Sequence, residues 1–187
     1  MPQASSKLIA VAALLAAGAV QAHTLDVGLN NNAVGVDYST QLPKSSVNVG
    51  AGLLHHQDNG DAYYASLFVA DNVNKTSGVL AGLGARGYYI DAKLRNAKGT
   101  ALALGGFLNY EIPTVPNLSV RADLYYAPDV LSFDEIQRYS DLSARVQYRI
   151  IEQAWVYLGY RRADVNPDKG RSQKIDEGGY VGLMLWF

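Results

Sequence analysis

The 187-residue chain carries 16 Lys and Arg against 17 Asp and Glu, a formal net charge of -1, with no cysteine and 13 tyrosines. Near-neutral charge offers a polyanion little to hold, so nucleic acid is excluded as an expected partner, and the missing thiols exclude disulfides, thiolate metal centres and a cysteine nucleophile. Residues 23–187 contain neither an 18-residue apolar run nor a Pro/Gly/Ser-rich linker, which argues for one domain without a transmembrane helix and leaves a barrel of alternating strands open.

Residues 1–22 read as a signal peptide, with Lys7, an apolar stretch over 8–20 and the small Ala22 before the expected cut. The stretch is short of the roughly twenty residues that cross a hydrocarbon core. Cleavage there leaves one domain over 23–187, beginning at His23.

From Thr24 onward apolar residues recur with period two, the mark of strands with two unlike faces. Strands are expected near 24–29, 33–41, 46–56, 61–70, 79–92, 100–112, 117–128, 138–150, 154–164 and 176–187. That makes ten, or eight if the first short pair fails to form. The fifth, "VLAGLGARGYY", sets Leu83 and Ala85 against Gly84 and Arg86, and the seventh, "LSVRADLYY", sets Val120 and Leu124 against Arg121 and Asp123. In the eighth, "SARVQYRI", Val146 and Tyr148 oppose Arg145 and Arg149, and a one-residue slip would turn those arginines into lipid at about 2–4 kcal/mol each near a bilayer midplane. The facing of the fourth, "AYYASLFVA", is ambiguous by alternation.

The fold expected is therefore all-β, a closed antiparallel transmembrane β-barrel. "HHQDNGD", "KLRNAKG", "PDVLSFDEIQ" and "VNPDKGRSQKI" follow odd-numbered strands and read as long outer loops, while "LPKS", "DNVNKTSG", "PTVPN" and "IEQ" read as inner turns, tight but for "DNVNKTSG". This pattern belongs to outer-membrane barrels with both termini in the periplasm. Tyr38, Tyr89, Tyr110, Tyr126, Tyr148 and Tyr160 stand near strand ends, where an aromatic ring suits the headgroup region.

The final stretch, "YVGLMLWF", places Val181, Leu183, Leu185 and Phe187 on one face. It resembles the terminal strand of bacterial outer-membrane proteins, which implies that these four residues form the signal read by the barrel-assembly machinery. With the leader, the Gly-rich "GLGARGYY" and the ending "GGYVGLMLWF", the whole chain resembles the YfaZ-type outer-membrane proteins of proteobacteria. That resemblance implies an outer-membrane barrel in a Gram-negative bacterium and transfers no catalytic residue.

The inward face carries Arg86, Arg121, Arg145, Arg149 and Arg161 against Asp26, Asp37, Glu111 and Asp123, a nearly balanced set. Uncompensated burial of a charge costs several kcal/mol, so these groups are expected to be paired or hydrated. Two readings follow. A salt-bridged plug pairs Arg121, Arg145 and Arg149 with Asp123, Glu111 or Asp37, whereas a thin polar pore leaves them wet and favours anions.

Adjacent His55 and His56, near Asp58 and Asp61, are the rim residues suited to a lipid-active enzyme, a hydrolase or an acyltransferase, yet neighbours on a strand point to opposite faces. No catalytic, metal or cofactor site is expected. Lys93, Arg95 and Lys98 in one loop and Lys169, Arg171 and Lys174 in another offer lipopolysaccharide phosphates or a surface ligand a partner, with solvated loops as the alternative.

Overall fold

The computed structural model describes residues 23–73, 78–168 and 171–187, so the leader expected over 1–22 lies outside the described residues. Eleven strands form in chain order: β1 His23–Leu29, β2 Ala33–Gln41, β3 Val47–His56, β4 Gly60–Asn72, β5 Val79–Ala92, β6 Ala97–Glu111, β7 Leu118–Ala127, β8 Ser132–Asp134, β9 Ile136–Ile151, β10 Ala154–Pro167 and β11 Gln173–Trp186. Every pairing is antiparallel. Ten strands close the ring, because β1 pairs with β11 and β5 with β6. At the seam His23 and Phe187 exchange backbone bonds of 2.7 and 2.9 Å, which leaves neither strand as an open edge.

Alternation explains the facing. Leu83 is 75% exposed while Arg145, in an inward position, is 8% exposed. Leu67, Leu104, Leu124, Leu158 and Val181 continue the exposed belt. In β4 the ambiguity resolves with Tyr64, Ser66 and Phe68 lining the interior and Tyr63, Leu67 and Val69 exposed. Tyr89, Tyr110, Tyr126, Tyr148 and Tyr160 are exposed, and Tyr38 is half-buried and bonded through its hydroxyl to His23 Nδ1 at 2.7 Å.

Two expectations are corrected. The segments read as long outer loops are partly strand: β6 begins at Ala97, β10 runs to Pro167 and β11 begins at Gln173. Their outward residues are polar, while the small inward Ala97, Gly99, Ala101 and Ala163 are buried as the ladder continues. The segment 128–135 also contains β8, which pairs with β6 at Gly99–Ala101 and fills the wall between β6 and β9 above the end of β7.

The interior divides into two halves. At the end away from His23 and Phe187, Ile90, Ile136, Tyr139, Val165 and Ile175 are each no more than 2% exposed and form an apolar core with small residues such as Ala101 and Ala163. Register shifts beside Pro167 and at Ala163/Asp164 mark bulges facing β9 and β11. They bring Ile136 inward alongside Tyr139, and Ile175 and Asp176 inward together, although a regular strand would send one of each pair outward.

Candidate functional site

Toward the end that carries His23 and Phe187, the interior is a cavity of about 520 Å³ lined by charged, aromatic and aliphatic side chains. Its walls include Asp26, Asp37, Arg86, Arg121, Asp123, Arg145, Arg149 and Arg161 from the expected charge set, and Trp155 and Trp186 stand toward its mouth. Glu111 instead stands exposed at the rim, where its backbone N–H donates to the Gly78 carbonyl at 2.9 Å.

The arginines are held from two sides. Arg145 Nη1 lies 2.5 Å from Asp26 Oδ2 across the lumen, and its guanidinium covers the Tyr157 ring at 4.4 Å. Tyr157 donates its hydroxyl to the other Asp26 oxygen. Arg121 grips Asp123 on its own strand through Nε and Nη2, at 3.0 and 2.8 Å to the nearer oxygens, and lies 3.8 Å over Phe107. Arg86 is clasped between Tyr125 at 3.8 Å and Tyr64 at 4.6 Å, with Asp141 at 3.5 Å. Arg149, near the mouth, donates to Asn117 Oδ1 at 2.8 and 3.2 Å. Arg161 rests over Tyr180 at 4.7 Å. Each stacked contact desolvates a guanidinium against a π face, a favourable interaction of about 0.5–2 kcal/mol.

Asp141 and these rings are functional-site residues that sequence reasoning missed. Asp141 had a signal, because it shares the parity of Ser143 and Arg145 on β9, and its carboxylate accepts from Tyr88 at 3.0 Å as well as from Arg86. The pairing of Arg145 with Asp26, rather than with Asp123, Glu111 or Asp37, had none.

At the opposite rim the two histidines diverge as adjacent strand residues must. His55 points outward and bonds Asp61, which also lies 3.8 Å from Lys93. His56 is buried, and its Nδ1 accepts from the backbone N–H groups of Asp58 and Asn59 at 3.2 Å each. Three of the basic loop residues are paired: Lys93 with Asp61, Lys98 with Asp91 at 2.7 Å, and Lys174 with Glu177. Lys169 lies outside the described residues.

No group of three or more His, Cys, Asp or Glu side chains among the described residues is arranged to hold a metal ion. The cavity wall presents charged groups and aromatic rings, which can bind charge with charge and apolar surface with rings.

Six solved chains are similar to this one. One, from the work described as "Unveiling the Mechanism Behind the in-meso Crystallization of Membrane Proteins", is 11% identical, with 89% of this chain and 83% of that chain covered and a TM-score of 0.49. No curated protein matches. An all-antiparallel barrel closed strand to strand, apolar outside and charged within, is the architecture of the protein, and its sequence matches a family model from residue 4 to residue 187: the chain belongs to the YfaZ precursor family.

Proposed function

We propose that the protein is a non-conducting outer-membrane barrel whose lumen is a blind polar cavity, open to the periplasm and closed toward the outside. The closed barrel and the precursor family fit an outer-membrane barrel protein. The observation that carries the finer reading is the apolar layer of Ile90, Ile136, Tyr139, Val165 and Ile175 across the distal half of the lumen. An ion crossing that layer would leave water for an apolar, close-packed interior, at a cost of many kcal/mol. His23 and Phe187 lie at the cavity end, which supports a periplasmic mouth for a barrel inserted in the usual sense. The barrel has no catalytic chemistry in this reading; its partners are outer-membrane lipid, including lipopolysaccharide, along the Leu83 belt and the barrel-assembly machinery during biogenesis.

Planar-bilayer recording tests it. The wild type is expected to show no steady current, and a variant carrying Ile90→Ala, Val165→Ala and Ile175→Ala is expected to show discrete openings once the layer is thinned. A reproducible current through the wild type, weakened by Arg145→Ala, would make the lumen a small anion channel instead.

A further inference from the structure

We infer that the cavity is a binding site for a small zwitterion such as a free α-amino acid, with Asp37 taking the ammonium group and Arg161 the carboxylate. The inference rests on the reading of the lumen as a one-ended cavity and names its ligand class.

Three of the stacked arginines already hold a carboxylate: Arg86 holds Asp141, Arg121 holds Asp123 and Arg145 holds Asp26. Arg161 differs. Its charged neighbours are Asp141, Asp37 and Asp176, yet among the described residues no carboxylate comes within ion-pair distance of it. Asp141 is committed to Arg86 and Tyr88, and Asp176 accepts from Asn30 at 3.0 Å. Asp37 is left, and it too makes no hydrogen bond or ion pair among the described residues, although Arg86 and Arg161 are its nearest cations.

Backbone geometry keeps the two apart. The Arg161 side chain crosses from β10 to lie over Gly35 on β2, where a Cβ would stand 2.7 Å from Nη1. Asp37 is two residues further along the same face, its Cα about 7 Å from that of Gly35 along the strand. Its Oδ1 leans the other way, toward Gly52, where a Cβ would stand 2.9 Å from it and 2.5 Å from the Tyr64 hydroxyl. A cation and an anion thus face one cavity, each with hydrogen-bonding capacity unused, at a separation that a molecule carrying both charges can bridge.

Ligand selectivity follows from the neighbours. A simple amine at Asp37 would meet Arg86 and Arg161, and a simple carboxylate at Arg161 would meet Asp37 and Asp141; each half-charged ligand therefore gains one attraction and suffers a like-charge repulsion. A zwitterion satisfies both groups and adds no net charge. Its carboxylate can take two N–H bonds from a planar guanidinium, and an apolar side chain can lie against Phe68 in the same cavity. The cavity volume of about 520 Å³ lies within the range of small-molecule sites.

The test is titration calorimetry on the full refolded barrel in detergent micelles with L-alanine and L-leucine, against propionate and ethylamine, which each keep one charge. Saturable binding of an amino acid at least tenfold tighter than either half-charged compound is expected. Asp37→Asn and Arg161→Gln should each weaken it at least tenfold, and Gly35→Ala should weaken it by pushing the guanidinium tip aside. If neither amino acid binds saturably, or neither binds tighter than propionate and ethylamine, the site assignment falls. Selectivity is measured on the wild type, so it decides the matter even where a variant fails to fold. Bilayer current separates the two readings: current through the wild type overturns the blind cavity, whereas no current together with no amino-acid binding overturns the zwitterion site alone.

Discussion

Replacing Arg145 by Ala removes one side of an ion pair that spans the lumen, and the neighbouring contacts set the size of the loss. Arg145 is 8% exposed, lies 2.5 Å from Asp26 and covers Tyr157 at 4.4 Å. Without it, Asp26 keeps the Tyr157 hydroxyl as its partner. Breaking a buried pair from one side typically costs about 3–5 kcal/mol, because the remaining charge stays desolvated. The Asp26 side chain is 15% exposed toward the cavity, so water recovers part of that, and the lower end, about 3 kcal/mol, is expected. With a urea dependence of about 2 kcal/mol per molar, the unfolding midpoint falls by roughly 1.5 M. Arg149→Ala is the control: that side chain donates to Asn117 near the mouth, and its loss should cost about 0.5–1.5 kcal/mol. A double variant, Asp26→Leu with Arg145→Met, removes both charges and should recover most of the stability, since an apolar pair of similar volume can replace a buried ion pair at little cost. Urea unfolding in lipid vesicles, followed through Trp155 and Trp186 fluorescence, measures all three. The reasoning is refuted if Arg145→Ala loses no more than Arg149→Ala, or if the double variant is no more stable than Arg145→Ala.

Two further outcomes follow from the wall. The protein should fractionate with the outer membrane and migrate faster on gels before boiling than after, as a closed barrel does; recovery in the soluble periplasm with no shift would remove the lipid belt from the account. Phe187→Ser should lower the yield of inserted barrel more than Lys98→Ser, because Phe187 exchanges both seam hydrogen bonds with His23 and lies 5.6 Å from its ring, whereas Lys98 is an exposed partner of Asp91. Equal yields would make Phe187 ordinary wall.

Period-two alternation was enough to settle the all-β class and the face on which Arg86, Arg121, Asp123 and Arg145 stand, while the choice of ten strands over eight came from the pairing of β1 with β2 and β11. The class and the facing are local properties: successive side chains on a strand alternate by geometry, and a slip of one residue would exchange the charged face for the apolar one. The family, too, was legible in the whole-chain pattern. Strand ends were not, because the ladder at β6, β10 and β11 continues into polar sequence that alternation reads as loop. Tertiary structure alone decided what fills the barrel. Asp26 meets Arg145 from 119 positions away, a choice among several carboxylates that only the closed ring makes. The apolar layer needs Ile136 and Ile175 turned inward at bulges, which break the very alternation from which their facing would be inferred. Gly35, silent as sequence, becomes the place where Arg161 lands from the far wall, because the absence of a Cβ matters only to the side chain that closure brings against it.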